Sequence, residues 1–160
     1  MFDFSGRVVV VAGAAGNLGE AVARAFDGAG ARLVLLDRAS DRLAALYPEW
    51  ARDGHHLLLT GVDAADEASV SAAVGTALER LGRIDVLANT VGGWRGGAVT
   101  DEAAVQMWDL LHGLNARTAL ILSRAVIPPM LEQGEGKIVH TAARAALAGT
   151  ARSAAYSASK

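Results

Sequence analysis

Cysteine is absent from the 160 residues of this sequence, which excludes disulfide bonds and thiolate metal sites. Basic residues occur singly and the formal net charge is only −2, so we expect neither a nucleic-acid partner nor a membrane surface. The apolar run near the N-terminus, VVVVAGAAG, is far shorter than the roughly 20 residues of a membrane span and follows no basic leader. These absences favour a cytoplasmic protein.

Apolar residues make up 52% of the chain, and they lie in short runs that alternate with longer segments. The runs, which have the length and composition of strands buried on both faces of a parallel sheet, are 7–13, 31–37, 55–63, 83–89 and 136–142. The segments between them have helical composition, at 17–29, 39–53, 66–82 and roughly 101–133. The alternation predicts an α/β fold, a doubly wound Rossmann-type parallel sheet, in one domain over residues 1–160.

A glycine-rich turn follows the first predicted strand. Gly13, Gly16 and Gly19 lie where the strand meets the first helix. Without side chains, such a turn lets a pyrophosphate approach backbone N–H groups at the helix N-terminus. The alternative is a tight turn that only packs the helix on the strand.

Asp37 ends the second predicted strand. A carboxylate there can accept hydrogen bonds from both hydroxyls of an adenosine ribose and repels a 2′-phosphate. It therefore predicts NAD as cofactor, with NADP less favoured. Two alternatives stay open: Asp37 caps the next helix, or Arg38 accommodates the phosphate of NADP.

Further motifs occur in order along the chain. They are AGAAGNLG with Asn17, Asp63 in GVD, LANTVGG with Asn89 and Gly92, a long helix with Asn115, GKIVHTAA, and Tyr156 with Lys160. Together they resemble the short-chain dehydrogenase/reductase family over essentially the whole chain. The resemblance implies the strand order 3-2-1-4-5.

The resemblance also implies the residues of a cofactor site. These are Gly13, Ala15, Gly16, Asn17, Leu18, Gly19, Asp37, Asp63, Asn89, Gly92, Tyr156 and Lys160. By the same resemblance Tyr156 is the catalytic acid/base, Lys160 holds the nicotinamide ribose, and Asn115 holds a water in a proton relay.

The spacing of Tyr156 and Lys160 supports a proton donor independently. At i and i+4 the two side chains lie on one helical face, and an ammonium lowers the pKa of a neighbouring phenol. The alternative for this pair, taken alone, is a surface tyrosine and a solvated lysine.

One position departs from the family. Ala143 stands where the family has a serine that polarises the substrate oxygen, and Thr141 or Ser153 is the candidate substitute. The segments AARAALAGT and GGWRGG resemble locally the dihydropteridine reductase branch, which lacks this serine, prefers NADH and reduces a quinonoid ring. A carbonyl reductase that has lost the same serine matches these segments equally well.

Three other side chains carry separate expectations. Trp94 either stacks on a flat substrate or seals its glycine loop, whereas Trp108 is expected in the core or a subunit interface. His140 is expected to be a hydrogen-bonded core histidine. No two histidines have metal-ligand spacing, so no metal site is predicted.

Family members usually continue for further strands and a substrate loop, and the resemblance places these after Lys160. We therefore expect either the N-terminal part of an NAD-dependent reductase acting on a small molecule, or a nucleotide-binding fragment or pseudoenzyme without turnover. The resemblance also implies a homo-oligomer, a dimer or a tetramer.

Overall fold

The computed structural model describes residues 2–160, apart from the side chain of Asp53. In chain order its elements are β1 (Val8–Ala12), α1 (Asn17–Asp27), β2 (Arg32–Asp37), α2 (Ser40–Leu46), α3 (Pro48–Asp53), β3 (Leu57–Thr60), α4 (Glu67–Leu81), β4 (Val86–Asn89), α5 (Ala104–Leu111), a π-helical turn (His112–Arg117), α6 (Thr118–Gln133), β5 (Lys137–His140), a 3-10 turn (Arg144–Ala146) and α7 (Ala154–Ser159).

The five strands form one parallel sheet in the order β3-β2-β1-β4-β5. Val10 at its centre lies opposite Val34 of β2 and Leu87 of β4. The predicted fold class and strand order are confirmed. In this order the chain changes direction across the sheet between β1 and β4, and ligands of doubly wound sheets bind beside the strand ends at such a point.

Alternate residues of the strands point into two separate cores. Val8, Val10 and Ala12 belong to the core beneath α4 and α6, which includes Val70, Val74, Ala77, Ile121, Leu122 and Val126. Val9 and Val11 belong to the other core, beneath α1, α2 and α3, which includes Ala23, Leu43, Tyr47 and Trp50. Apolar residues on both strand faces explain why the strand runs are continuous rather than alternating.

Two predicted helices are interrupted. The segment 39–53 is two helices, because Pro48 lacks the N–H needed to continue α2 and instead occupies the first turn of α3. The segment 101–133 contains the π-helical turn between α5 and α6. Within the part of the chain that the structure describes, no helix is long and apolar enough to span a membrane.

Candidate functional site

The glycine turn between β1 and α1 is built too tightly for side chains at two positions. Gly13 has a φ of +79°, a conformation that favours glycine. A Cβ on Gly19 would lie 2.1 Å from the Gly13 carbonyl oxygen. Gly16 is the N-cap of α1, and among the described residues no side chain caps this helix. Its first N–H groups are therefore left without intrahelical partners.

A cleft of about 830 Å³ opens at the carboxyl ends of the strands. Six of the residues predicted from the sequence line it: Gly13, Ala15, Gly16, Asp37, Asp63 and Gly92. Gly19 is buried beneath the turn, and Leu18 is half exposed on α1 outside the cleft lining. The structure thus brings together predicted residues from the ends of four strands, β1 to β4.

Asp37 lies at the end of β2 and already accepts two backbone hydrogen bonds. Its Oδ2 accepts from the Ala15 N–H at 2.9 Å, and its Oδ1 accepts from the Ala39 N–H at 2.8 Å. The N-cap position of α2 belongs to Ala39, so Asp37 is not the capping residue of that helix. The carboxylate instead ties the glycine turn to the start of the β2–α2 loop.

Two arginines line the cleft beside Asp37, namely Arg38 and Arg42. Arg42 Nη2 donates to Asn17 Oδ1 at 3.3 Å, so the side chain reaches across from α2 to the N-terminus of α1. Asn17, where a glycine is usual in the family, therefore makes a contact that glycine could not make.

Asn89 and His140 form a polar pair at the ends of β4 and β5. The Val91 N–H donates to Asn89 Oδ1 at 3.0 Å, so the amide nitrogen of Asn89 donates to His140 Nδ1 at 3.1 Å. The ring proton of His140 then lies on Nε2, which donates to Ser123 Oγ at 2.8 Å. The neighbouring side chains shield part of the His140 ring from water, and this partial desolvation lowers its pKa and favours the neutral ring.

The prediction that His140 is a core histidine is wrong in one respect. Both ring nitrogens are hydrogen-bonded, as expected, but the residue is exposed because β5 is the edge strand. Trp108 is also outside the core: it is 46% exposed and stacks on His112. Trp94 is 62% exposed, lines the cleft and packs against Gly96.

Asn115 is buried in the π-helical turn and links three segments. Its Oδ1 accepts from the Gly93 N–H at 2.9 Å, and its Nδ2 donates to the Gly93 carbonyl at 3.1 Å and to Ser159 Oγ at 2.9 Å. The Ser159 hydroxyl in turn donates to the Tyr156 carbonyl at 2.9 Å. Asn115 thus joins the loop after β4 to α7, although its side chain does not line the cleft.

Tyr156 and Lys160 lie one turn apart at α7. Lys160 Nζ donates to the Thr141 carbonyl at 3.0 Å, and burial lowers the pKa of this ammonium. A Cβ on Gly92 would lie 2.5 Å from Lys160 Nζ, so the ammonium sits directly behind the cleft wall. Tyr156 is half-buried, and within residues 2–160 its hydroxyl has no hydrogen-bond partner.

The candidate replacements for the family serine are both placed elsewhere. The Thr141 hydroxyl donates to the Asn89 carbonyl at 3.0 Å and is occupied within the sheet. Ser153 is buried beside a second, smaller cavity rather than the cleft. Ala143 has an extended backbone and carries no hydroxyl.

Sequence reasoning missed Ser159 and Arg42. Ser159 lies between Tyr156 and Lys160 in the sequence, but no spacing rule identifies its hydrogen bond to Asn115. Arg42 occupies the exposed side of a helix, where charged residues are common. Among the described residues no group of three or more metal-ligating side chains occurs.

The parallel sheet and its glycine turn define a Rossmann-type α/β protein. The sequence model of the family described as short chain dehydrogenase matches residues 7–160, and the chain therefore belongs to that family. Its members are oxidoreductases that generally use NAD or NADP.

Three similar proteins are oxidoreductases by name. An uncharacterized oxidoreductase of Staphylococcus haemolyticus is 31% identical over 160 residues, which are 100% of this chain and 68% of that protein. D-threitol dehydrogenase of Mycolicibacterium smegmatis is 37% identical over 161 residues, covering 99% of this chain and 62% of the relative. The 2-(R)-hydroxypropyl-CoM dehydrogenase of Xanthobacter autotrophicus is 35% identical over 157 residues, covering 96% of this chain and 63% of the relative.

Two solved structures share the fold. The crystal structure of gox2181 superposes with a TM-score of 0.90 at 28% identity, covering 99% of this chain and 62% of that one. A short-chain dehydrogenase from Streptomyces avermitilis superposes with a TM-score of 0.85 at 28% identity, covering 96% of this chain and 55% of that one. The chain thus spans between about half and two thirds of the length of the relatives it matches.

Proposed function

We propose that the protein is an NAD-dependent oxidoreductase that transfers a hydride between nicotinamide and a small carbonyl, alcohol or quinonoid substrate. The observation that carries the proposal is the hydrogen-bonded chain from Gly93 through Asn115 to Ser159. It holds the helix of Tyr156 and Lys160 against the loop that lines the cleft.

The residues around the cleft fit a dinucleotide. The volume of about 830 Å³ lies within the range of roughly 300–1,000 Å³ for ligand sites. The uncapped N-terminus of α1 and the bare backbone of Gly13 and Gly16 suit a pyrophosphate. Asp37 and Asp63, at the ends of neighbouring strands, are the polar groups proposed for the adenosine half.

Asp37 supports NAD over NADP. Each carboxylate oxygen can accept more than one hydrogen bond, so Asp37 can bind ribose hydroxyls while it keeps the Ala15 and Ala39 amides. The negative charge of the Asp37 carboxylate would repel a 2′-phosphate at the same position. Arg38 and Arg42, which line the same part of the cleft, are the residues that would favour NADP instead.

Tyr156 is the proposed acid/base. A nicotinamide held in the cleft would supply the chemistry of hydride transfer to or from the substrate carbon. During reduction the Tyr156 O–H bond breaks and its proton passes to the substrate oxygen; during oxidation the phenolate takes the proton back. Lys160, one helical turn away, is proposed to hold the nicotinamide ribose, and Asn115 is proposed to position a water for proton return.

Ala143 narrows the proposed substrates. The Thr141 hydroxyl is bonded to Asn89 and Ser153 faces another cavity, so neither supports polarisation of a carbonyl at the Ala143 position. This favours an easily reduced acceptor such as a quinonoid ring. It also favours the second candidate function, nucleotide binding without turnover.

The proposal includes a homo-oligomer. Leu120, Ile127 and Leu131 of α6 are 68%, 42% and 75% exposed and recur at the spacing of one helical face. An apolar stripe of this kind suits a contact with a second copy. Analytical ultracentrifugation of the protein, which should sediment as a dimer or tetramer, tests it.

Oxidation of NADH measured with a quinonoid dihydropterin and with a set of ketones tests the catalytic proposal. We expect turnover of the pterin, and we expect Tyr156→Phe to abolish it while NAD binding persists. Ala143→Ser should raise the rate with ketones more than the rate with the pterin, because it restores a hydroxyl donor. NAD binding without turnover of any acceptor would instead support the second candidate.

Thermal unfolding with added nucleotide tests the cofactor preference. NAD should stabilise the protein more than NADP does, and Asp37→Asn should narrow that difference. Asp41→Asn, an exposed acid on α2, is the matched control and should leave the difference unchanged. Greater stabilisation by NADP in the unaltered protein would overturn the argument from Asp37.

A further inference from the structure

A second cavity lies next to the cleft and is not explained by dinucleotide binding. It measures about 170 Å³ and is enclosed by the loop 95–101, the first residues of α5 and residues 152–155. Residues 153–155 immediately precede Tyr156, so one wall of the cavity is the start of the proposed catalytic helix.

Two arginines, Arg95 and Arg152, are among the residues that line this cavity, and both are exposed. Within residues 2–160 neither side chain makes a hydrogen bond or an ion pair. The one acidic residue of the lining is Asp101, whose Oδ2 accepts from the Ala98 N–H at 2.7 Å. The lining therefore has two basic residues and one acidic residue, and within the described residues neither arginine is paired.

The backbone at Arg152 is held in an unfavourable conformation. Its φ is +60°, and it is the only described residue other than glycine with a positive φ. Such a conformation is costly for a long side chain and needs support from its surroundings. The Gly97 N–H supplies it by donating to the Arg152 carbonyl at 2.9 Å, which also pins the loop of Arg95 to the segment of Arg152.

Apart from Ser153, the rest of the lining is glycine or apolar. Val99, Met107, Trp108, Ala104 and Ala155 provide hydrocarbon surface around the two charges. A ligand that fits this combination has a short aliphatic part and an anionic end. Arg95 lines both this cavity and the cleft, so the two spaces adjoin at this residue.

We infer that this cavity is a subsite for the anionic end of the substrate, with Arg95 and Arg152 binding a carboxylate or sulfonate. The substrate class is a short keto or hydroxy acid whose reacting carbon lies in the cleft and whose charged end lies between the two arginines. The inference rests on the proposed function, because it assigns one end of the same substrate.

Binding of matched ketones to the whole protein in the presence of NAD tests the inference. The probes are 4-oxopentanoate, its methyl ester and 3-oxobutane-1-sulfonate. Their binding is followed by the intrinsic tryptophan fluorescence of the protein, to which Trp108 in the cavity lining contributes. We expect the two anions to bind at least about ten-fold more tightly than the ester, because charge-assisted hydrogen bonds to arginine are the strong ones. The ratio between the carboxylate and the sulfonate identifies which anion the subsite prefers.

Three variants distinguish a charge effect from a structural one. Arg152→Gln and Arg95→Gln should each lower the affinity for the anions about ten-fold and leave the affinity for the ester unchanged. Arg152→Lys should restore part of the lost affinity. Arg80→Gln, an exposed arginine of α4 that lines neither space, is the control and should change nothing. In the NADH assay the same loss should appear in KM rather than in kcat.

Equal binding of anions and ester, or equal weakening of both by Arg152→Gln, would overturn the inference while leaving the reductase proposal intact. If the protein binds no NAD, the proposed function fails. The fluorescence titration without nucleotide then still decides whether the cavity binds anions.

Discussion

Gly19 shows how much the glycine turn depends on one missing side chain. A Cβ there would lie 2.1 Å from the Gly13 carbonyl oxygen and 2.9 Å from the Ala14 Cα. Both obstacles are backbone atoms, so the turn itself must open to admit a methyl group. We expect Gly19→Ala to lower the free energy of unfolding by about 1–3 kcal/mol and to weaken nucleotide binding, measured by urea unfolding and NAD titration.

Gly75 is the matched control for that substitution. It lies inside α4, and a Cβ there meets no atom within 4 Å. Gly75→Ala should therefore stabilise the protein by roughly 0.5–1 kcal/mol, through helix propensity alone, and leave NAD affinity unchanged. A Gly19→Ala protein as stable as the Gly75→Ala protein would show that the turn has more room than its geometry indicates.

At the scale of single elements, the π-helical turn between α5 and α6 positions Asn115. Such turns are rare and often occur at functional sites. The turn buries the Asn115 amide, where it bonds both backbone groups of Gly93 and the Ser159 hydroxyl. One residue thereby connects the loop after β4 with α7.

Replacing Asn115 tests that connection. Asn115→Ala removes three hydrogen bonds and leaves buried polar partners unsatisfied, so we expect a loss of about 1–3 kcal/mol in stability. Hydrogen exchange at the Gly93 amide should accelerate as well. Ser159→Ala, which removes a single link of the three, should cause a smaller loss and leave Gly93 exchange nearly unchanged. Unaltered exchange in Asn115→Ala would contradict the connecting role.

The sequence predicts the elements better than the contacts between them. The spacing of apolar residues identifies which segments are strands and which are helices. That spacing arises because the strands contribute apolar side chains to both cores and the helices of those cores pack one face on the sheet. The π-helical turn was missed because one extra residue in a turn hardly alters that periodicity, whereas the break at Pro48 had a signal, the proline itself. Asp37 and Asn115 were identified by motif, but their bonds to Ala15 and Ser159 join distant segments that local spacing cannot reveal.

At the scale of the whole molecule, the two ends of the sheet differ in chemistry. The carboxyl ends of the strands border the cleft. At the opposite end, Asp85 is only 5% exposed and is surrounded by Arg7 and Arg83, which also pair with Glu135. The Asp85 carboxylate further accepts from the Val8 N–H at 2.8 Å, joining the starts of β1 and β4. This buried ion-pair cluster therefore lies at the end of the sheet away from the cleft.

This separation predicts that Asp85 affects stability but not nucleotide affinity. Burial raises the pKa of Asp85, but hydrogen bonds from Arg83, the Val8 amide and Arg7 outweigh it and hold the pKa below 3.8. Because the folded pKa is the lower one, the carboxylate stabilises the fold above about pH 3.8, and this stabilisation is lost as the pH falls further. Asp85→Asn should cost about 2 kcal/mol at pH 7, less than a fully buried pair because both arginines are partly exposed.

Urea unfolding at pH 7 and pH 3 measures the effect of Asp85→Asn on the free energy of unfolding. The difference in this free energy between the variant and the unaltered protein should be smaller at pH 3. Glu67→Gln is the control, since it breaks the exposed pair with Arg124 and should cost less than about 1 kcal/mol at either pH. NAD titration at pH 7 should give the same affinity for all three proteins. A fall in NAD affinity that accompanies the loss of stability in Asp85→Asn would mean that the two ends of the sheet are coupled.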